Sequence, residues 1–274
     1  MGSHSDRTQF ELRLYAHRGA NRHFPENTLP AFRRALELGA THLEMDVHRT
    51  RDGVIVVAHD ATGQRMCGVE KAIRDCELAI VQSWDAGYNF RDREGNLSLR
   101  GRGHKIPTLR AVIESFPRTP LNIDVKEHDP EVLKQVIGII EELEAHPRTL
   151  ISSFDPGLVR LLHKLGYRGP IGVSRHDLAR LLLIPAWMLP RSWILGGALQ
   201  IPRKWKRYYF DTAPFMRKAH AYGIRLDYWV VNEPGAAREL LERGADGIMT
   251  DEPQLLRPVF EDFSRKSGRQ IAGG

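Results

Sequence analysis

Short apolar runs alternate along the chain with segments whose apolar residues recur every three or four positions, and this alternation predicts strands separated by amphipathic helices. Eight runs read as strands, near 12–17, 41–47, 120–126, 149–154, 169–174, 197–202, 224–231 and 246–250. Thr28 is placed to cap a helix carrying Leu29, Phe32, Ala35, Leu36 and Leu38, which stops at Gly39. Further helical spacing covers 109–116 and 131–143, and also 158–165, 214–222 and 236–243, which end at Gly166, Gly223 and Gly244. This rhythm predicts an α/β fold, a TIM (β/α)8 barrel, with residues 1–274 as a single domain. A doubly wound open sheet is the competitor, but no Gly-x-Gly-x-x-Gly turn follows the first strand.

One strand breaks the rhythm. Residues 54–58 follow the second strand after only Arg51-Asp52-Gly53, too short for a parallel crossover and suited to a β-hairpin. Folding about that turn brings His59 roughly opposite Asp46. Residues 60–106 then form a small insertion, whose glycines and charges predict a surface element. The polar tail from Ser264 onward is expected to fray.

Composition changes the picture little. Hydrophobic residues make up 42% of the chain, enough for a sizeable core, and the net charge of +6 favours anionic partners. No Lys/Arg stripe with interleaved aromatics predicts nucleic-acid binding. Cys67 and Cys76 match no metal-finger spacing and do not read as a disulfide framework. A polar N-terminus makes a cytoplasmic chain the expectation, although Met1-Gly2-Ser3-His4 resembles an added leader that would conceal a native one.

The candidate chemistry lies at strand ends, where barrel enzymes carry it. His17 and Arg18 close the first strand. Glu44 and Asp46 lie two apart on the second, and Asp124 and Lys126 two apart on the third, so each pair shares one face. Three inward carboxylates repel one another unless a cation neutralises them; all-oxygen ligands suit Mg²⁺ or Ca²⁺ better than zinc. His23, His48, His104 and His128 are taken as loop residues.

The motifs Tyr15-Ala16-His17-Arg18-Gly19, Pro25-Glu26-Asn27-Thr28, Leu43-Glu44-Met45-Asp46 and Ala58-His59-Asp60 resemble, in order and spacing, the glycerophosphodiester phosphodiesterase family. The resemblance covers nearly the whole chain. It implies metal binding by Glu44, Asp46 and Asp124, acid–base catalysis by His17 and His59 (His17 favoured as the base), and phosphate binding by Arg18 and Lys126. Glu26 is a candidate supporting residue beside the metal, though Asn27 and Thr28 read equally well as helix caps. Ser152 and Ser153 match the family's Ser-Phe strand end, but are read chiefly as barrel-filling and capping residues. Trp229 and Asn232 sit in a segment similar to the family's aromatic-Thr-Val-Asn strand, and Trp229 is expected to wall the substrate pocket. Gln200, polar within an apolar strand, is a candidate mouth contact.

The resemblance implies metal-dependent hydrolysis of glycerophosphodiesters to glycerol 3-phosphate and an alcohol. Asp124 departs from the Glu that many members carry; Asp-x-Lys also occurs in the lysophospholipase D-like branch, which makes that activity the alternative. Residues 178–201 are unusually apolar, and Arg203, Lys204, Lys206 and Arg207 follow, so 178–207 is a candidate lip for peripheral contact with a membrane, against the plainer reading of buried packing. Pro185 and Pro190 argue against a spanning helix. The rival from another class is a catalytically silent lipid-binding barrel, which would be expected to have lost a histidine or an acidic ligand.

Overall fold

The computed structural model describes residues 10–127 and 129–273; His128 and Met1-Gly2-Ser3-His4 lie outside them. The strands, among the described residues and in chain order, are β1 (Arg13–Ala16), β2 (His42–Arg49), β3 (Ile55–Val57), β4 (Leu121–Val125), β5 (Thr149–Ser152), β6 (Ala198–Ile201), β7 (Lys204–Trp205), β8 (Tyr208–Tyr209), β9 (Arg225–Tyr228) and β10 (Gly247–Thr250). The helices are α1 (Leu29–Glu37), α2 (Gln64–Cys67), α3 (Leu78–Val81), α4 (Leu109–Ser115), α5 (Pro130–Glu142), α6 (Pro156–Lys164), α7 (Arg175–Leu183), α8 (Ala213–Ala221), α9 (Pro234–Arg243) and α10 (Pro253–Ser267).

Seven strands pair in parallel in the order β5-β4-β2-β1-β10-β9-β6. Residues 170–173 supply the eighth stave, too brief to register as a strand. Gly172 donates to the Ile151 carbonyl at 2.9 Å, Val173 to Ala198 at 2.8 Å and Gly197 to Ile171 at 2.9 Å, joining β5 to β6 and closing a TIM barrel.

The local causes match the expected elements. Thr28 caps α1, its side chain accepting from the Ala31 N–H, and the helix buries Ala31, Phe32 and Ala35 against the sheet. Gly19, at φ +83°, lets the end of β1 lie against α1, since a Cβ there would fall 2.8 Å from the Ala31 carbonyl carbon. Within the barrel, Tyr15 donates to Asp227 at 3.0 Å and Arg225 meets the same carboxylate at 3.0 Å, so these buried charges remain paired.

β3 folds back on β2 as an antiparallel hairpin with Val47 opposite Val57. Ala58 donates to the Asp46 carbonyl at 3.0 Å, so Ala58 lies opposite Asp46 and His59 one residue beyond. Residues 60–106 carry α2 and α3 and pack Cys67, Ile73, Cys76, Val81, Trp84 and Ile106 around Val56 of β3. The insertion thus has an apolar centre of its own beneath its charged surface.

Three expectations need correction. His48 is no loop residue; it is buried on β2. The tail does not fray, because α10 runs on through Ser267 and the buried Arg269 then pairs with Asp246 at 2.6 Å and Ile271 bridges Leu12. The third concerns 178–207, which is not one lip. Helix α7 starts at the C-terminal end of its stave and runs back along the barrel. The apolar stretch after it therefore lies at the opposite end from the strand C-termini. Tyr222, the residue closing α8, donates there to the Ala186 and Leu189 carbonyls at 2.8 and 2.7 Å. Leu183 and Trp187 are exposed there, 81% and 85%. The basic residues 204–207, by contrast, follow the C-terminal end of β6. Among the described residues no helix is long and apolar enough to cross a membrane.

Candidate active site

The C-terminal ends of the staves surround a cavity of about 340 Å³ whose lining includes His17, Arg18, Glu44, Asp46, His59, Asp124, Lys126, Gln200 and Trp229. Nine of the ten residues singled out from the sequence therefore share one space. Strand pairing explains the convergence: β2 and β4 run side by side with Asp46 opposite Asp124 and Glu44 opposite Asn122. The hairpin carries His59 back to the same rim.

Glu26 is the exception, standing just outside. Its carboxylate accepts from Arg18 at 3.1 Å and from Arg65 at 2.6 Å, so it braces Arg18 rather than joining the other carboxylates. Arg18 itself has φ +58°, an uncommon conformation for a side-chain-bearing residue, and its N–H donates to Glu44 at 3.0 Å.

Each histidine is backed by a carboxylate. His17 Nδ1 lies 2.8 Å from Asp251 Oδ1, and His59 Nδ1 lies 2.7 Å from Asp60 Oδ1. An ionised carboxylate only accepts, so each Nδ1 carries the hydrogen and, in the neutral ring, each Nε2 is the acceptor nitrogen. Asp251 also accepts from Asn21 at 2.5 Å and from Asn232 at 3.1 Å. Burial alone would raise its carboxyl, but the bonds from His17 and Asn21 bring it down to about 2. Asp60 is likewise held low, with burial outweighed by His59 and Arg65.

The three carboxylates crowd one another. Burial, then Asp46 and Asp124, push the Glu44 carboxyl well above its ordinary range. Burial also raises Asp124, against the pull of Lys126. The Lys126 ammonium bridges the two aspartates, 2.6 Å from Asp124 and 3.1 Å from Asp46. Burial would lower that ammonium, but Asp124 and Asp46 hold it above its usual range. Among the described residues no three acidic, imidazole or thiol groups converge tightly enough to cage a metal ion. The donor chemistry nevertheless suits a hard divalent cation, which would relieve the crowding that now disfavours ionised Glu44.

The floor holds a further pair. Asn122 donates to Gln200 at 3.0 Å, which leaves the buried Gln200 Nε2 and Asn122 Oδ1 without partners. Ser152, Ser153 and Phe154 also line the cavity; Ser153 accepts from the Asp155 N–H at 3.2 Å, while the cap of α6 is Asp155 itself, and Phe154 is exposed.

Sequence reasoning missed Asp251, Asn21, Asn122 and the brace at His48. Asp251 follows the last stave directly, so its position at a strand C-terminus was the available signal. His48 bonds to Glu127 at 3.0 Å through Nδ1 and lies 3.1 Å from the His59 carbonyl through Nε2, fixing the backbone that presents His59. Only folding of the hairpin reveals that contact.

The Asp251 brace has a measurable consequence. In Asp251→Asn the charge behind His17 is gone, and kcat is expected to fall about 10²-fold, the scale of a mispositioned catalytic group. The depressed carboxyl also stabilises the fold at pH values above the ordinary aspartate pKa. That contribution, of the order of 2 kcal/mol, is lost as pH falls from about 4 toward 2. Urea unfolding across this range should show the loss in the parent chain and not in the variant. Identical pH profiles would remove Asp251 from this role.

Residues 17–255 match the model of the glycerophosphoryl diester phosphodiesterase family. A glycerophosphodiester phosphodiesterase of Caldanaerobacter subterraneus subsp. tengcongensis is 32% identical over 250 residues, covering 89% of this chain and 95% of its own. A lysophospholipase D of Mus musculus is 30% identical over 282 residues, covering 93% and 88%. The crystal structure of a glycerophosphodiester phosphodiesterase from Thermotoga maritima superposes with a TM-score of 0.70 at 26% identity, covering 90% of this chain and 98% of that one.

Proposed function

The chain belongs to the glycerophosphoryl diester phosphodiesterase family and is a phosphodiester hydrolase; on that premise we propose that it cleaves glycerophosphodiesters to glycerol 3-phosphate and an alcohol through its two histidines. The observation that carries this reading is the cavity itself. Two imidazoles, each with Nδ1 held by a carboxylate, face a common space with Arg18 and Lys126.

Arg18 and Lys126 draw the anionic phosphodiester into the cavity and stabilise charge that builds on its oxygens. Glu44, Asp46 and Asp124 would hold a divalent cation, Mg²⁺ or Ca²⁺, which when bound supplies further neutralisation of the phosphoryl group. His17 Nε2 takes the proton from the attacking hydroxyl. Among the described residues the other cation paired with Asp251 is Arg22, at 4.0 Å, so the carboxylate charge is available to stabilise the imidazolium that His17 becomes. Asp60 already shares its charge with Arg65 at 2.5 Å. His59, starting protonated, gives its Nε2 proton to the departing alkoxide as the P–O bond breaks. The Asn122–Gln200 pair and Trp229 receive the glycerol or alcohol portion.

A second reading has specific support: the similarity to the mouse lysophospholipase D, together with the Asp124-x-Lys126 sequence, favours a lysophospholipid substrate. Hydrolysis of glycerophosphocholine compared with lysophosphatidylcholine separates the two. The first reading expects glycerol 3-phosphate from glycerophosphocholine; turnover of the lysolipid alone would favour the second. No release of an alcohol from either would refute both.

A further inference from the structure

The hairpin formed by β7 and β8 rises between β6 and α8, at the barrel end that bears the cavity, and lies outside the catalytic constellation. Its base is fixed. Arg203 pairs with Asp211 at 2.8 Å and Glu239 at 2.7 Å, the Phe210 N–H donates to the Arg203 carbonyl at 2.9 Å, and the Tyr228 hydroxyl donates to the Phe210 carbonyl at 2.6 Å. Its tip is bare. Trp205, Tyr208 and Tyr209 are 56%, 49% and 56% exposed, three large aromatic rings open to solvent on one short hairpin.

Charge accompanies those rings. Residues 204–209 contain Lys204, Lys206 and Arg207 and no acid. Each cation lies over a ring: Lys204 4.7 Å from the Tyr209 centroid, Lys206 4.9 Å from Trp205 and Arg207 5.3 Å from Tyr208. Trp and Tyr side chains with adjoining Lys and Arg suit the boundary between water and lipid, where the rings reach the acyl edge and the cations meet phosphate. Phe154 and Val230, exposed beyond the C-terminal ends of their staves, extend the apolar character of this end.

We infer that the 204–209 hairpin docks the protein on an anionic phospholipid bilayer with the cavity turned toward the lipid. Charge complementarity selects the occupant: three cations without a compensating acid face a surface of phosphates. The inference deepens the lysophospholipid reading and rests on it for the substrate, while the docking itself is measured independently. A substrate resident in the bilayer would then enter the cavity head group first.

Cosedimentation with vesicles of phosphatidylcholine, with and without phosphatidylserine, tests the docking. The full chain is expected to bind the anionic vesicles and to be released by salt. Charge reversal at Lys204→Glu, Lys206→Glu and Arg207→Glu together should weaken binding about 10²-fold. Trp205→Ala, which leaves the charges in place, should also weaken it. Trp187→Ala, at the far end of the barrel, should leave it unchanged. Hydrolysis of soluble glycerophosphocholine should be the same in the charge-reversed and parent chains, whereas vesicle-borne lysophosphatidylcholine should turn over more slowly. Binding that survives charge reversal, binding lost through Trp187→Ala instead, or capture of single-stranded oligonucleotide in place of vesicles would each overturn the inference. Absence of any hydrolysis by the parent chain would count against the proposed activity while the sedimentation result still judged the hairpin.

Discussion

His17→Ala is expected to lower turnover by about 10²–10⁴-fold without unfolding the protein, and His59→Ala to do the same. In the proposed mechanism the two side chains act at opposite ends of one bond exchange, so removing either would leave a proton with no carrier. The double variant should therefore be little worse than either single one. Structural damage is expected to be slight. Both rings line an open cavity, so their loss creates no sealed apolar void. Without His17, Asp251 still accepts from Asn21 and Asn232; without His59, Asp60 keeps its pair with Arg65. Steady-state rates on glycerophosphocholine, with thermal unfolding as a control, decide the matter. Near-parental rates with either alanine would defeat the two-histidine mechanism.

Exhaustive chelation should stop turnover, and Mg²⁺ or Ca²⁺ should restore it. The reason is the crowding at β2 and β4. Glu44 is disfavoured as a carboxylate by burial and by its acidic neighbours, while Lys126 bridges the two aspartates and Arg18 reaches Asp46 at 3.4 Å. A bound divalent ion would favour the ionised forms and stabilise the folded chain, by about 2.7 kcal/mol at a concentration a hundredfold above Kd. Melting temperature should accordingly rise with added ion. In Asp46→Asn both the thermal response and the restoration of activity should be lost. Turnover and melting temperature that ignore chelator and metal alike would refute the cation.

Most of the barrel was legible because a parallel strand buried on both faces gives a compact apolar run, and helices ending at Gly39, Gly166, Gly223 and Gly244 announce their boundaries. The stave at 170–173 was legible too, although its pairing is only a few hydrogen bonds long. The candidate site could be read wherever spacing determines direction, as with Glu44 and Asp46 or Asp124 and Lys126. It could not be read where contacts join distant parts of the chain. Asp251 meets His17 across the closing seam of the first and last staves, and His48 supports His59 only after the hairpin folds. The apolar run at 178–201 misled for a related reason: hydropathy records that residues are greasy, not at which end of a barrel a returning helix deposits them.

The brief stave at 170–173 has a bearing on the width of the pocket. A methyl on Gly196 would lie 2.4 Å from the Gly172 carbonyl oxygen, and one on Gly172 would lie 3.0 Å from the Ser152 Cα. Main chain there touches main chain, and Gly172, which lines the cavity, projects nothing into it. The wall is thin along this flank because of subtraction: two missing methyls let its staves close tightly, and the one at Gly172 leaves that part of the chamber lined by bare main chain.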